Sequence, residues 1–280
     1  IDEINTVRKH LSRVKGGRLA RTLHPARTIS LVLSDVVGDR LDTIASGVTA
    51  PDATTFAQAQ EILARYAIEN LAPRAAREII LKGVRGEIPE TPKEDDPAFA
   101  RVTNLIVGNN RSACEAARER GEALGYHTRV LAQPITGEAS RAGSFFAGLA
   151  RDIASGRFGL PRPALLVAGG ETTVTVRGTG RGGRNQEMAL AFLADMARTP
   201  LRDARLAFLS AGTDGTDGPT EAAGAMVTSD LVRTVVSRTL DPLAFLGNND
   251  SNGFFRSEGG LFVTGPTGTN VCDIQLLAVI

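Results

Sequence analysis

The chain predicts an α/β fold on three observations. Short runs rich in Val, Ile, Leu and Thr alternate with longer runs whose apolar residues recur every three to four positions. The connections between them concentrate Gly, Asp, Asn and Thr, and an acidic turn at residues 34–39 follows a strand-like run. Such alternation implies parallel strands with helices on both faces, hence three-layer α/β/α architecture.

The opening helix places Ile4, Val7, Leu11 and Val14 on one face. It has no start signal and the first residue is Ile1 rather than Met, so the expectation is a missing beginning. A turn at 15–20 leads to 28–33, read as a buried strand running into SDVVGD. Residues 51–55 end a loop and cap a helix through about Ile68, and a second helix lies near 75–83. Residues 86–100, GEIPETPKEDDPAFA, carry proline and acid without a period and read as an exposed connector. Then come a strand at 102–107, a helix at 111–124 stopped by Gly125, a strand at 126–131 and a helix from about 138 to 155. Pro161 and Pro163 punctuate the chain there, giving domains 1–159 and 160–280. The second domain continues with strand-like runs at 164–168 and 172–176 and a helix from Asn185 with Met188, Phe192 and Met196 on one face. A strand at 206–209 and a hairpin joining 261–264 to 271–277 complete it.

Composition removes several function classes. Lys plus Arg is 32 against 31 for Asp plus Glu, and a net charge of +1 gives no field to gather nucleic acid or an anionic membrane. No apolar run approaches the roughly 20 residues of a membrane span. Cys114 and Cys272 read as buried free thiols and point to a reducing cytoplasm, and His10, His24 and His127 show neither zinc-ligand spacing nor a catalytic triad. Homo-oligomerisation is left open by the sequence.

The chemistry concentrates in loops. Residues 169–187, GGETTVTVRGTGRGGRNQE, read as an anion-binding loop between strand and helix: its glycines leave backbone N–H groups accessible, and Arg184 adds a bidentate donor at the helix start. Residues 178–183 also match the dinucleotide pattern G-x-G-x-x-G, but the following strand ends in Ser210 and Ala211 rather than in a ribose-binding acid. A turn needed only for tight packing is the structural alternative. Asp214 and Asp217, three apart in a glycine-rich turn, present two carboxylates to a magnesium ion, or else form two Asx turns. Asp250, beside Ser251, is a third ligand or substrate contact, or a helix cap. Thr267, Thr269 and Asn270 offer phosphate or nucleoside contacts within the hairpin connection, or serve only its geometry. Lys15 can reach a phosphoryl group or meet a helix end. Asp35 and Asp39 are candidates for a base or a metal partner, or for loop caps. Together these loops hold the parts of phosphoryl transfer: backbone cradle, cation clamp, divalent ion.

In order and spacing, GGETTVTVRGTGRGGRNQE, SAGTDGTDGPTEAAGA, NNDSNGFF and TGPTGTNVCDIQLL resemble the MOFRL domain of the type 2 glycerate kinases. NTVRKHLSRVKGGRLA, LVLSDVVGDRLDTIASG and GEIPETP resemble the later part of that family's other domain, so the resemblance covers essentially the whole chain. It implies an ATP- and magnesium-dependent kinase acting on the 2-hydroxyl of D-glycerate, with a cleft between a Rossmann-like first domain, here N-terminally incomplete, and a smaller C-terminal domain. By that resemblance Lys15 and Arg184 are cleft cations. Gly182, Gly183 and Asn185 face phosphate, with Gly169, Gly170, Glu171, Thr267 and Asn270 as further nucleotide contacts. Asp214, Asp217 and Asp250 match acidic positions that face the cleft in that family; the roles assigned to them here are that Asp214 with Asp217 would hold the metal, Asp250 and Ser251 would meet substrate, and Asp35 would orient or deprotonate the acceptor hydroxyl. Two departures stand out: the family's glycine- and lysine-containing segment is expected upstream of Ile1, outside these 280 residues, and Val48 stands where the family tends to have proline. The rival readings are an NAD(P)H-dependent hydroxypyruvate reductase and a catalytically silent nucleotide or sugar-acid binding module.

Overall fold

Three helices, rather than a sheet, organise the first compact unit, Ile1–Val107, of the computed structural model, which describes residues 1–201 and 203–280. Helices α1 (Asp2–Leu11), α3 (Phe56–Arg65) and α4 (Arg74–Val84) close around Phe56, Ala59, Leu63 and Ile80, with Val7 and Leu11 packed against them; the short α2 (Arg18–Leu23) follows α1. Thr55 and Gln58 form a capping box that fixes the start of α3, which ends at Arg65, short of Ile68. Lys9 on α1 pairs with Asp52 at 3.2 Å, both side chains buried. Asp52 also accepts from Thr54 N at 3.1 Å and Thr54 Oγ1 at 2.7 Å.

Two expectations for this unit fail. Among the described residues, strand β1 (Thr28–Leu33) pairs only with β2 (Val102–Gly108), and it is not buried: Leu31 is 69% exposed and alternate residues along β1 face solvent. A buried parallel strand needs helices on both faces, and a two-stranded ribbon has none to spare. Nor are residues 86–100 a free connector: Thr91 is buried, Pro92 O accepts from Asp52 N at 3.0 Å, and Asp96 pairs with Arg21 on α2.

The second unit, Gly108–Ile280, is built on a seven-stranded mixed sheet. Its strands are β3 (His127–Val130), β4 (Ile135–Glu138), β5 (Ala164–Thr173), β6 (Leu206–Gly212), β7 (Gly224–Thr228), β8 (Leu261–Phe262) and β9 (Asp273–Val279). The order is β3-β5-β9-β6-β7-β8, with β4 also on β5. In this sheet the β3 and β4 pairings to β5 are parallel and the other described pairings antiparallel, so the parallel arrangement expected from the alternation holds for the β3, β4 and β5 strands alone. β9 inserts between β5 and β6 while β8 pairs with β7, so the expected hairpin of 261–264 with 271–277 does not form. Because β3 and β4 are bonded into the same sheet as β5, this unit begins at Gly108, ahead of the division expected at 159/160.

Helices α6 (Ala139–Ala154) and α7 (Arg184–Arg198) pack on one face, where Phe146, Phe192, Leu166, Phe208 and Leu277 form the centre of the core. α5 (Asn110–Ala123) lies on the other: Leu165 points opposite to Leu166 and meets α5 so closely at Gly121 that a Cβ there would collide with it. α8 (Ser229–Ser237), α9 (Pro242–Gly247) and α10 (Ser251–Glu258) complete the unit. Among the described residues no helix is long and apolar enough to cross a membrane.

Candidate active site

The loop between β5 and α7 is glycine-rich because a second loop lies against it. Arg177 N and Gly178 N donate to Asn249 Oδ1 at 2.7 and 3.0 Å, and Thr179 N to Asn248 Oδ1 at 3.1 Å. Gly180 N donates to Asn248 O at 2.9 Å and Arg181 N to Asp250 Oδ1 at 3.0 Å. A Cβ at Gly178 or Gly180 would collide with the backbone of Asn248 and with Asp250. Five consecutive N–H groups expected to cradle phosphate are thus satisfied by residues 248–250. The N–H groups of Gly182 and Gly183, the last two of the loop, donate to none of the described residues. Asp250, expected to meet substrate, instead ties this loop down, and Ser251 is buried with its hydroxyl unpartnered among the described residues and set against Gly182.

Asp217 has a different employment from metal binding. Its Oδ1 accepts from Asn185 N (3.0 Å) and Asn185 Nδ2 (3.3 Å), its Oδ2 from Gln186 N and Gln186 Nε2 (both 2.9 Å). It therefore caps the first turn of α7 from 32 residues away in sequence, satisfying N–H groups that the helix leaves orphaned. Burial pushes its carboxyl above the ordinary range, partly offset by these bonds. Asp214 Oδ1 accepts from Thr216 N at 2.9 Å, an Asx turn. Both oxygens of Asp217 being spoken for, the pair does not offer two free carboxylates to one cation. Among the described residues, no group of three or more His, Cys, Asp or Glu side chains is arranged to hold a metal. Asn185, expected at the phosphate, is fully buried and accepts from Ser210 Oγ at 2.6 Å.

Arg184 opens α7 and is held on two sides. Asp273, fully buried at the start of β9, accepts its Nε at 2.6 Å and Nη2 at 2.9 Å, and Glu171 stands 3.3 Å from Nη1. The Asp273 bonds hold the guanidinium's pKa above its already high value, against burial, so the group is a fixed cation. Asp273 was missed in the sequence; its signal was an acid at the head of a largely apolar strand. Asn110, also missed, donates to Val271 O (2.9 Å) and Asp273 O (2.8 Å) and so sets that strand's entry.

Residues 164–273 match the MOFRL family model, and residues 1–81 match a domain of unknown function, DUF4147. The glycerate kinase of Macaca fascicularis is 39% identical over 317 residues, covering 99% of this chain and 78% of that protein. The chain belongs to the MOFRL glycerate kinase family. The D-glycerate 2-kinase of Thermotoga maritima is 43% identical over 274 residues, covering 98% of this chain and 62% of the relative. A crystal structure of glycerate kinase from the same organism superposes with a TM-score of 0.85 at 40% identity, covering 100% of this chain and 63% of that one. The chain thus spans a little over three fifths of the length of these Thermotoga relatives.

The remaining residues singled out for this glycerate kinase family member fall in three places. Gly169 and Gly170 lie inside β5, where a Cβ would collide with Asn110 and with the backbone of Ile135, so the close approach they permit is made by protein. Thr267 donates to Thr213 O at 2.6 Å, and Asn270 Oδ1 accepts from Cys272 N at 3.0 Å; both brace the turn before β9. In the first unit Lys15 Nζ donates to Ala45 O at 2.9 Å, and Asp35 is exposed just after β1. Both cysteines are buried and neither is in a disulfide, and burial pushes the Cys114 thiol up to about 11, which disfavours the reactive thiolate.

Proposed function

We propose that this chain carries the phosphoryl-transfer machinery of an ATP-dependent D-glycerate kinase, with 2-phosphoglycerate and ADP as products. The acceptor hydroxyl oxygen bonds to the γ-phosphorus, the bond from that phosphorus to the β,γ-bridging oxygen breaks, and ADP leaves. Names of relatives supply the substrate class: the protein matched in Thermotoga maritima is a D-glycerate 2-kinase.

The observation that carries the reading is the Arg184 guanidinium, locked by Asp273, on the residue that directly follows Gly182 and Gly183 and their uncommitted N–H groups at the start of α7. A preorganised cation at a helix N-terminus stabilises charge that develops on transferring phosphoryl oxygens and needs no reorganisation to do so. Lys15 and Asp35 are proposed as a further cation and as the carboxylate that orients or takes the proton of the acceptor hydroxyl. Lys15→Ala and Asp35→Asn should each lower turnover with the fold intact. Magnesium is proposed only as the counter-ion that accompanies ATP, since Asp214 and Asp217 do not fit a two-carboxylate site.

A coupled ADP-release assay with D-glycerate and MgATP tests the reading, run on this chain and on one extended at its N-terminus to the length of its relatives. Glycerate-dependent ADP release is expected. Folded protein that releases no ADP in either form, or that oxidises NADH in the presence of hydroxypyruvate, refutes it.

A further inference from the structure

One turn along α7 from Arg184, the second unit holds a cavity of ≈ 550 Å³ lined in part by Glu138, Arg141, Thr175, Arg177, Glu187 and Asn249. That volume suits a nucleotide-sized molecule rather than a three-carbon acid. Its polar groups are unequally committed. Thr175 donates to both oxygens of Glu138 at 3.0 Å. Glu187, 5% exposed, accepts from Asn249 Nδ2 at 3.1 Å through Oε2, while its Oε1 accepts from none of the described residues. The guanidinium groups of Arg141 and Arg177 bond to none of the described residues. Glu138, Ser140 and Arg141 stand at the start of the 16-residue α6, whose terminal N–H groups have no side-chain cap. A second, mainly apolar groove of ≈ 610 Å³ shares Ser140, Arg141 and Leu246 with this cavity and runs on past Ala194, Pro242 and Leu243. Leu243 is 64% exposed there.

We propose that the two cavities together are the seat of the nucleoside triphosphate, with the base in the apolar groove, a ribose hydroxyl on Glu187, and the phosphates on Arg177, Arg141 and the start of α6. A carboxylate facing a ribose hydroxyl and guanidinium groups facing phosphates are matched chemistries. The three residues from Glu187 back to Arg184 rise about 4.5 Å along the helix, so a phosphate chain leaving the ribose runs toward the cation that receives the transferring group. The assignment rests on the kinase reading for the identity of its ligand. It moves the nucleotide away from Gly169, Gly170, Thr267 and Asn270.

Equilibrium binding by calorimetry, without glycerate, tests it with ATP and 2′-deoxy-ATP as probes. Arg177→Ala and Arg141→Ala alter exposed side chains and should keep the wild-type Tm while weakening ATP roughly tenfold each. Leu243→Ser should weaken ATP several-fold. Wild type should prefer ATP over 2′-deoxy-ATP, and Glu187→Gln should erase that preference. No saturable ATP binding by the wild type at millimolar concentration, or unchanged affinity in both arginine variants and in Leu243→Ser, overturns the seat. The two readings fail separately. Glycerate phosphorylation with unchanged ATP affinity in the variants leaves the kinase and removes the seat, whereas variant-sensitive ATP binding without phosphorylation in any form leaves the seat and removes the kinase.

Discussion

Replacing Asp217 by Ala separates a helix cap from a metal ligand. The carboxylate accepts four N–H groups at 2.9 to 3.3 Å, two of them backbone donors in the first turn of α7, all in a buried setting. A buried donor left without an acceptor costs about 1–3 kcal/mol, and removal of the carboxylate also removes its own desolvation penalty, so the net loss is about 3–5 kcal/mol. For a unit of this size that is a fall in Tm of roughly 10 °C. Asp217→Asn keeps one acceptor oxygen and should lose about half as much. Thermal unfolding followed by circular dichroism, with amide exchange in α7 as the local readout, measures both. The pH dependence has a definite sign. Burial raises the folded pKa above 3.8, so the native state binds more protons. This contribution to stability is complete below the unfolded value and is lost as pH rises through the folded one. The deficit of Asp217→Asn relative to wild type should therefore be widest near pH 4 and narrow toward neutrality. A loss under about 1 kcal/mol for Asp217→Ala, or a magnesium-dependent Tm in wild type that vanishes in that variant, would refute the capping argument.

Arg184→Ala should lower glycerate-dependent turnover by ~100-fold or more if the guanidinium acts on transition-state charge; ordinary turnover removes it from that role. Asp273→Asn keeps the shape but not the charge that orients Arg184, so kcat should fall by roughly tenfold or more with KM little changed, and a change confined to KM would count against positioning. Gly183→Ala drives a Cβ into the Asp217 carboxylate and should cost about 1–3 kcal/mol in urea unfolding, unlike Gly148→Ala, whose Cβ meets nothing within 4 Å. Lys9→Met strands the buried Asp52 and should cost about 3–5 kcal/mol at neutral pH. Burial alone would raise the Asp52 carboxyl, but the bonds from Thr54 and Lys9 hold it below its ordinary value. Its contribution is present above 3.8 and is lost as pH falls through the folded pKa, so the gap between wild type and Lys9→Met should close in acid.

Periodicity made most elements legible. The helices at 56–65, 110–123, 139–154 and 184–198 fall within a few residues of where the sequence places them, and the first begins at the cap the sequence marks, Thr55. Sheet direction was not legible. A central strand and an antiparallel one can carry the same Val, Ile and Leu content, and nothing local in 273–279 says that it slots between β5 and β6. The burial of β1 failed for a related reason. Its residues TISLVL have the composition of a core strand, but the layers that would bury it are not among its pairing partners in this chain.

The site residues show the same division between chemistry that is local and chemistry that is assembled. A glycine-rich stretch between strand and helix reads as a ligand cradle because backbone N–H groups without a nearby Cβ are what an anion needs. The same property suits any oxygen that must come close, and here the oxygens belong to Asn248, Asn249 and Asp250, some 70 residues away. Asp217 reads as a metal ligand because a carboxylate in a turn is free until something binds it, and what binds it is the start of α7. Both long-range partners converge on the residues that flank Arg184. The two motifs most suggestive of ligand binding therefore serve to hold one cation and two N–H groups in place, and the rigidity they confer is the property that electrostatic stabilisation of a transferring phosphoryl group requires.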